Sequence, residues 1–66
     1  MTAYPPEAPV VESKYSGAHY VIVDIYDGTV DCADPRRPGI MCGKWDALIP
    51  LTPSAKEALD ISRRGG

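Results

Sequence analysis

Sixty-six residues hold one domain with a thin core, because a chain of this size buries a smaller fraction of its surface than a large domain does. Two cysteines, one histidine and no phenylalanine leave few ways to staple it, so a homodimer, or folding completed on a partner, stands beside a free monomer as the expected state. The net charge of −2 is unevenly spread: residues 1–34 carry six acids against Lys14, a balance of −5, and residues 35–66 carry six bases against Asp46, Glu57 and Asp60, a balance of +3. Such a chain is not a basic nucleic-acid binder of the usual kind, and it is expected to present an acidic face and a basic one.

Residues 1–18 hold three of the seven prolines and little periodic pattern. Pro5, Pro6 and Pro9 favour extended backbone and remove donors. An extended or flexible arm is predicted over 1–18, ordered only near Val10-Val11, ahead of a single small α+β domain over 19–66. Pro6-Glu7-Ala8-Pro9 fits a PxxP spacing, but no basic residue flanks it. The stretch Met1–Glu7 has neither the basic nor the apolar part of a signal peptide, and no run approaches membrane-spanning length. The expectation is a cytoplasmic protein with reduced thiols and no membrane partner.

The clearest local pattern is a β-hairpin over 19–34. His19-Tyr20-Val21-Ile22-Val23-Asp24-Ile25-Tyr26 is dense in β-branched and aromatic residues, Asp27-Gly28 follows, and Thr29-Val30-Asp31-Cys32-Ala33 returns. An Asp-Gly pair between two such runs predicts a two-residue type I′ turn. That turn sets Ile25 against Val30, Asp24 against Asp31, Val23 against Cys32 and Ile22 against Ala33. Alternation then assigns Val21, Val23, Ile25, Val30 and Cys32 to the core face, with Tyr20, Ile22, Asp24, Tyr26, Thr29, Asp31 and Ala33 on the other.

Pro35-Arg36-Arg37-Pro38-Gly39 reads as a loop. A third strand is predicted over 40–49, broken or bulged at Gly43 and ended by Pro50. A helix follows over 53–64, with Thr52 as N-cap and Pro53 at the first helical position, where its missing donor costs nothing. Ala55, Ala58, Leu59 and Ser62 form its apolar stripe, and Gly65 suits the residue after its end. The expected architecture is α+β: an extended arm, a three-stranded antiparallel sheet and one C-terminal helix.

Chemistry concentrates on the outer face of the hairpin. Asp24 and Asp31 are expected directly opposite each other, with Cβ atoms about 5 Å apart, where like charges destabilise. A partner's Arg or Lys, the chain's own Arg36-Arg37 loop, a cation or plain solvation would each offset that repulsion. Tyr20 and Tyr26 flank the acids, and tyrosine is enriched in interface cores. An exposed ribbon offers no cleft to push two carboxyl pKa values apart, so an acid–base pair is not expected. Cys32, Cys42 and His19 lack the short Cys-x2–4-Cys spacing of a zinc site, and there is no Cys-x-x-Cys. No metal or other cofactor is expected. Trp45, beside Leu48 and Ile49, is expected in the core.

The terminus Arg63-Arg64-Gly65-Gly66 resembles the tail of ubiquitin-like modifiers and sulfur-carrier proteins, and the chain is similar in length to small sulfur carriers. The resemblance covers those four residues and implies a Gly66 carboxylate activated by adenylation. That fold places a strand before the tail and begins a hairpin within its first few residues, where this chain is expected to have a helix and an arm.

The expected function is a non-enzymatic protein-interaction module, an inhibitor or adaptor of the kind phages and mobile elements carry. It would dock on a larger protein with a basic surface through Tyr20, Asp24, Tyr26, Asp27 and Asp31, with Arg36 and Arg37 as a second patch. A modifier or sulfur carrier, and a weak nucleic-acid binder acting through Arg36-Arg37, are the alternatives.

Overall fold

A computed structural model describes residues 8–34 and 36–65. Pro5 and Pro6 of the predicted arm, Pro35 at the head of the loop and Gly66 of the tail lie outside the described residues. The elements are β1 (Val10–Ser13), β2 (His19–Ile25), β3 (Thr29–Ala33), β4 (Ile40–Lys44), a 3₁₀ turn (Trp45–Ala47), β5 (Leu48–Pro50) and α1 (Pro53–Arg63). The fold is a small α+β one, but its antiparallel sheet has five strands in the order β4-β3-β2-β1-β5 and not the three expected.

Both additional strands come from short segments with no period-2 pattern. In β1, the neighbours Val10 and Val11 point to opposite faces and are both buried, so apolar and polar residues do not alternate. The predicted third strand divides after Lys44: the 3₁₀ turn redirects the chain, and Leu48–Pro50 pairs with β1 at the far edge of the sheet. β4 and β5 are thus opposite edges joined by three residues, and only a curled sheet allows that. Leu48 reaches across the curl to Gly43, where an added Cβ would lie 3.4 Å from its Cδ1.

The hairpin keeps its expected register near the turn and loses it farther away. Ile25 opposes Val30 and Asp24 opposes Asp31, but Ile22 then opposes Cys32 and Val21 opposes Ala33. Val23 is the extra residue of a β-bulge, which shifts every side chain before it to the other face. Val11, Ile22, Val30, Cys32 and Leu48 therefore line one face and pack with Ala55, Ala58 and Leu59 of α1. Val23, assigned to the core by alternation alone, is 47% exposed. Trp45 is likewise outside the core, in the 3₁₀ turn.

Two hydroxyls fix α1 in place. Thr52 Oγ1 caps the helix by accepting from Ala55 N (3.3 Å), accepts from Val10 N (3.2 Å) and donates to Ala8 O (2.6 Å). Ten residues later the fully buried Ser62 Oγ lies 2.7 Å from Tyr26 O and 2.9 Å from Thr29 O, its single proton shared between them. Ser62 O accepts from Gly28 N at 2.9 Å. The Asp-Gly turn is thus clamped to the helix end, and its conformation differs from the expected type I′. Gly28 has φ +82° but Asp27 does not have positive φ, whereas a type I′ turn needs positive φ at both positions. Cys32 and Cys42 are both free thiols, the first buried and the second exposed. No helix among the described residues is long and apolar enough to cross a membrane.

Replacing Ser62 with Ala removes the proton shared by two turn carbonyls in a dry position. Ser62→Ala is expected to cost about 1–3 kcal/mol of folding stability, read as a lower midpoint in urea with an unchanged slope.

Candidate functional site: an acidic face on the outer side of the sheet

On the side of the sheet away from the core, the strand registers place Asp24 of β2, Thr29 and Asp31 of β3, and Cys42 and Lys44 of β4 on one surface. Tyr26 N donates to Thr29 O at 2.8 Å, so in the antiparallel alternation Asp24 and Asp31 form a hydrogen-bonded pair, with Cα atoms about 5.5 Å apart. Two carboxylates are therefore held face to face by backbone geometry, with no freedom to separate beyond rotating their own side chains.

Two neighbours serve Asp31. Cys42 Sγ donates to Asp31 Oδ1 at 2.8 Å. That bond, with the carboxylate's negative charge, raises the thiol pKa. The Tyr26 phenol is raised in the same direction, first by the neighbouring Asp31 carboxylate and then by the charge of Asp24. Both groups stay protonated at neutral pH. Cys32, on the opposite face of the same strand, is pushed up to about 11, mainly by burial.

Among the described residues no cation forms an ion pair with Asp24 or Asp31. Among the described residues the ion pairs are Glu12 with His19 (3.1 Å), across β1 and β2, and Asp60 with Arg63 (3.7 Å), on α1. Lys44 lies on the same face, diagonal to Asp31, without forming a bridge. No three His, Cys, Asp or Glu side chains among the described residues come together as a metal site.

Of the residues singled out from the sequence, the fold brings Asp24, Tyr26 and Asp31 together. Asp27 is exposed in the turn at one end of the ribbon. Tyr20 is on the other face: the bulge at Val23 turns it inward, opposite Val11, where it packs half-buried against the core. Arg36 and Arg37 stand exposed at the end of the ribbon away from the turn. Asp34 shapes that loop, its Oδ1 accepting from Arg36 N (2.8 Å) and its O from Arg37 N (3.2 Å). Cys42 is the member the sequence reading missed as a site residue. Its place beside Asp31 depends on a loop that no short-turn rule covers, so no sequence signal fixes that register.

Compared with known protein families, curated proteins and solved structures, the chain matches none.

The contact between Cys42 and Asp31 has a direct chemical readout. Removing the Asp31 charge relieves the thiolate, so Asp31→Asn is expected to lower the Cys42 pKa and speed its alkylation at neutral pH. Cys32 should stay unreactive until the fold opens. A pH–rate profile with iodoacetamide checks this, and an unchanged profile would show that Asp31 does not control the thiol.

Proposed function

We propose that the protein is a non-enzymatic interaction module, an inhibitor or adaptor, that docks on a basic surface of a larger protein through the face built on Asp24, Tyr26 and Asp31. One observation carries the reading: the opposed Asp24–Asp31 pair has no cation within 4 Å among the described residues. Like charges directly opposed across strands destabilise a sheet by some tenths of a kcal/mol to about 1 kcal/mol. A guanidinium or ammonium from outside would remove that repulsion, and Arg could bridge both carboxylates with its planar fork.

The surroundings suit recognition better than reaction. Tyr26, 48% exposed, supplies rigid amphipathic area beside the acids. The thiol at the site has a raised pKa, which makes it a poorer nucleophile at neutral pH. Charges of this kind steer encounter and set orientation more than they add affinity.

The test isolates the face from net charge. A partner captured from the source cell is purified, and its binding is compared for Asp24→Asn with Asp31→Asn and for the control Asp46→Asn with Glu57→Gln, which removes equal charge elsewhere. The first pair is expected to weaken binding about tenfold or more, equivalent to about 1.4 kcal/mol, with a reduced dependence on salt. Equal binding by both double variants would overturn the assignment.

A further inference from the structure

β4 is an edge strand with no strand paired on its outer side among the described residues. Trp45 N donates to Gly28 O (3.3 Å), which makes Thr29 and Lys44 a non-hydrogen-bonded pair. Counting back along β4, Gly43 and Met41 bond inward to β3, and the N–H and C=O groups of Lys44, Cys42 and Ile40 point outward. None of those outward groups takes part in a backbone bond outside the sheet ladders among the described residues. Of the usual protections of a sheet edge β4 keeps one, Lys44 at its end; it has no proline and no bulge. Ile40 and Met41 are 66% and 50% exposed, on opposite faces of the strand.

We infer that β4 pairs antiparallel with β4 of a second copy of this chain about a two-fold axis at Cys42, making one continuous ten-stranded sheet. The sequence of β4 is self-complementary in that register. Cys42 meets Cys42 of the second copy, and Ile40 meets its Lys44, so every outward backbone group gains a partner. Met41 meets Gly43 of the second copy on the concave face. Beside Gly43, which the Leu48 side chain covers, opens a groove of about 470 Å³ with Tyr20 and Leu48 among its lining residues. Each copy thus brings one large exposed side chain to the rim of the other's groove, and the symmetry exchanges them.

Charge also permits this arrangement. On the outer face, Lys44 of the second copy comes to about 12 Å from Asp31, Cα to Cα, by strand spacing, a gap that lysine and aspartate side chains together can close. The two Asp31 residues are three strand spacings apart, about 14 Å, which is beyond the screening length of about 8 Å at physiological salt. This pairing rests on the sheet edge and holds or fails independently of the proposed docking function.

Sedimentation of the full chain over a range of concentrations tests the pairing. A doubling of mass with rising concentration is expected, together with crosslinking by a short bis-maleimide through Cys42, the exposed thiol. Cys42→Lys sets two like charges opposite each other at the axis and should raise the dissociation constant about tenfold or more; Met41→Ala, which takes that side chain from the rim of the groove, should weaken it as well. Cys42→Ser should leave the mass change in place, and circular dichroism verifies that each variant is folded. A chain that stays monomeric throughout would overturn the inference. So would a dimer that Cys42→Lys and Met41→Ala leave unweakened, or one that fails to crosslink at Cys42.

Discussion

The extra residue at Val23 decides which side chains this small domain can bury and which it must display. Without a bulge, strict alternation from the Asp24–Asp31 pair would carry Tyr20 and Ile22 to the outer surface, and Val21 and Val23 would face α1. With it, Ile22 joins Val30 and Cys32 against Ala58 and Leu59, and Tyr20 closes the side of the core. The acids stay outside because they lie between the bulge and the turn, where the register is set locally. One inserted residue thus gives β2 an inward-facing half and an outward-facing half, and it separates the packing function of the hairpin from its charged surface.

Two further constraints hold that arrangement. The curl of the sheet follows from joining its opposite edges through three residues, and it brings Leu48 over Gly43 to close part of the concave face. The helix then covers the rest with a stripe of small residues, Ala55, Ala58 and Ser62, around a single Leu59. Small side chains allow close approach of helix and sheet, so a chain without phenylalanine fills its core by proximity. The clamp at Ser62 also supplies the polar partners that buried turn carbonyls require.

Legibility in the sequence follows the range of each interaction. The Asp27-Gly28 turn, the opposition of Asp24 and Asp31, and the start of α1 at Thr52-Pro53 are all settled within a few residues, and the sequence carries their chemistry openly. The turn type does not follow from the Asp-Gly pair alone, because Ser62, far along the chain, holds both Gly28 N and the flanking carbonyls. β1 and β5 have four and three residues, too few for a period to register, and their pairing is visible only once the sheet is assembled. The acidic part of the candidate site was readable for the same local reason, and Tyr20 was misplaced because a bulge leaves no residue signature here. Cys42 depended on a long loop and was not readable as its neighbour.

Thr52 carries a consequence for the order in which the molecule can assemble. Its hydroxyl joins the start of the helix to Ala8 and Val10, and β5 just before it completes the pairing of β1. β1 is therefore made well before β5, its second neighbour, exists. Contacts of such long sequence separation slow folding, since the entropy of closing the loop is lost before the contact forms. The β2–β3 hairpin is local in sequence, whereas the pairing of β1 with β5 joins segments more than thirty residues apart. A shortened chain lacking the helix would lose with it the latch that holds both ends together.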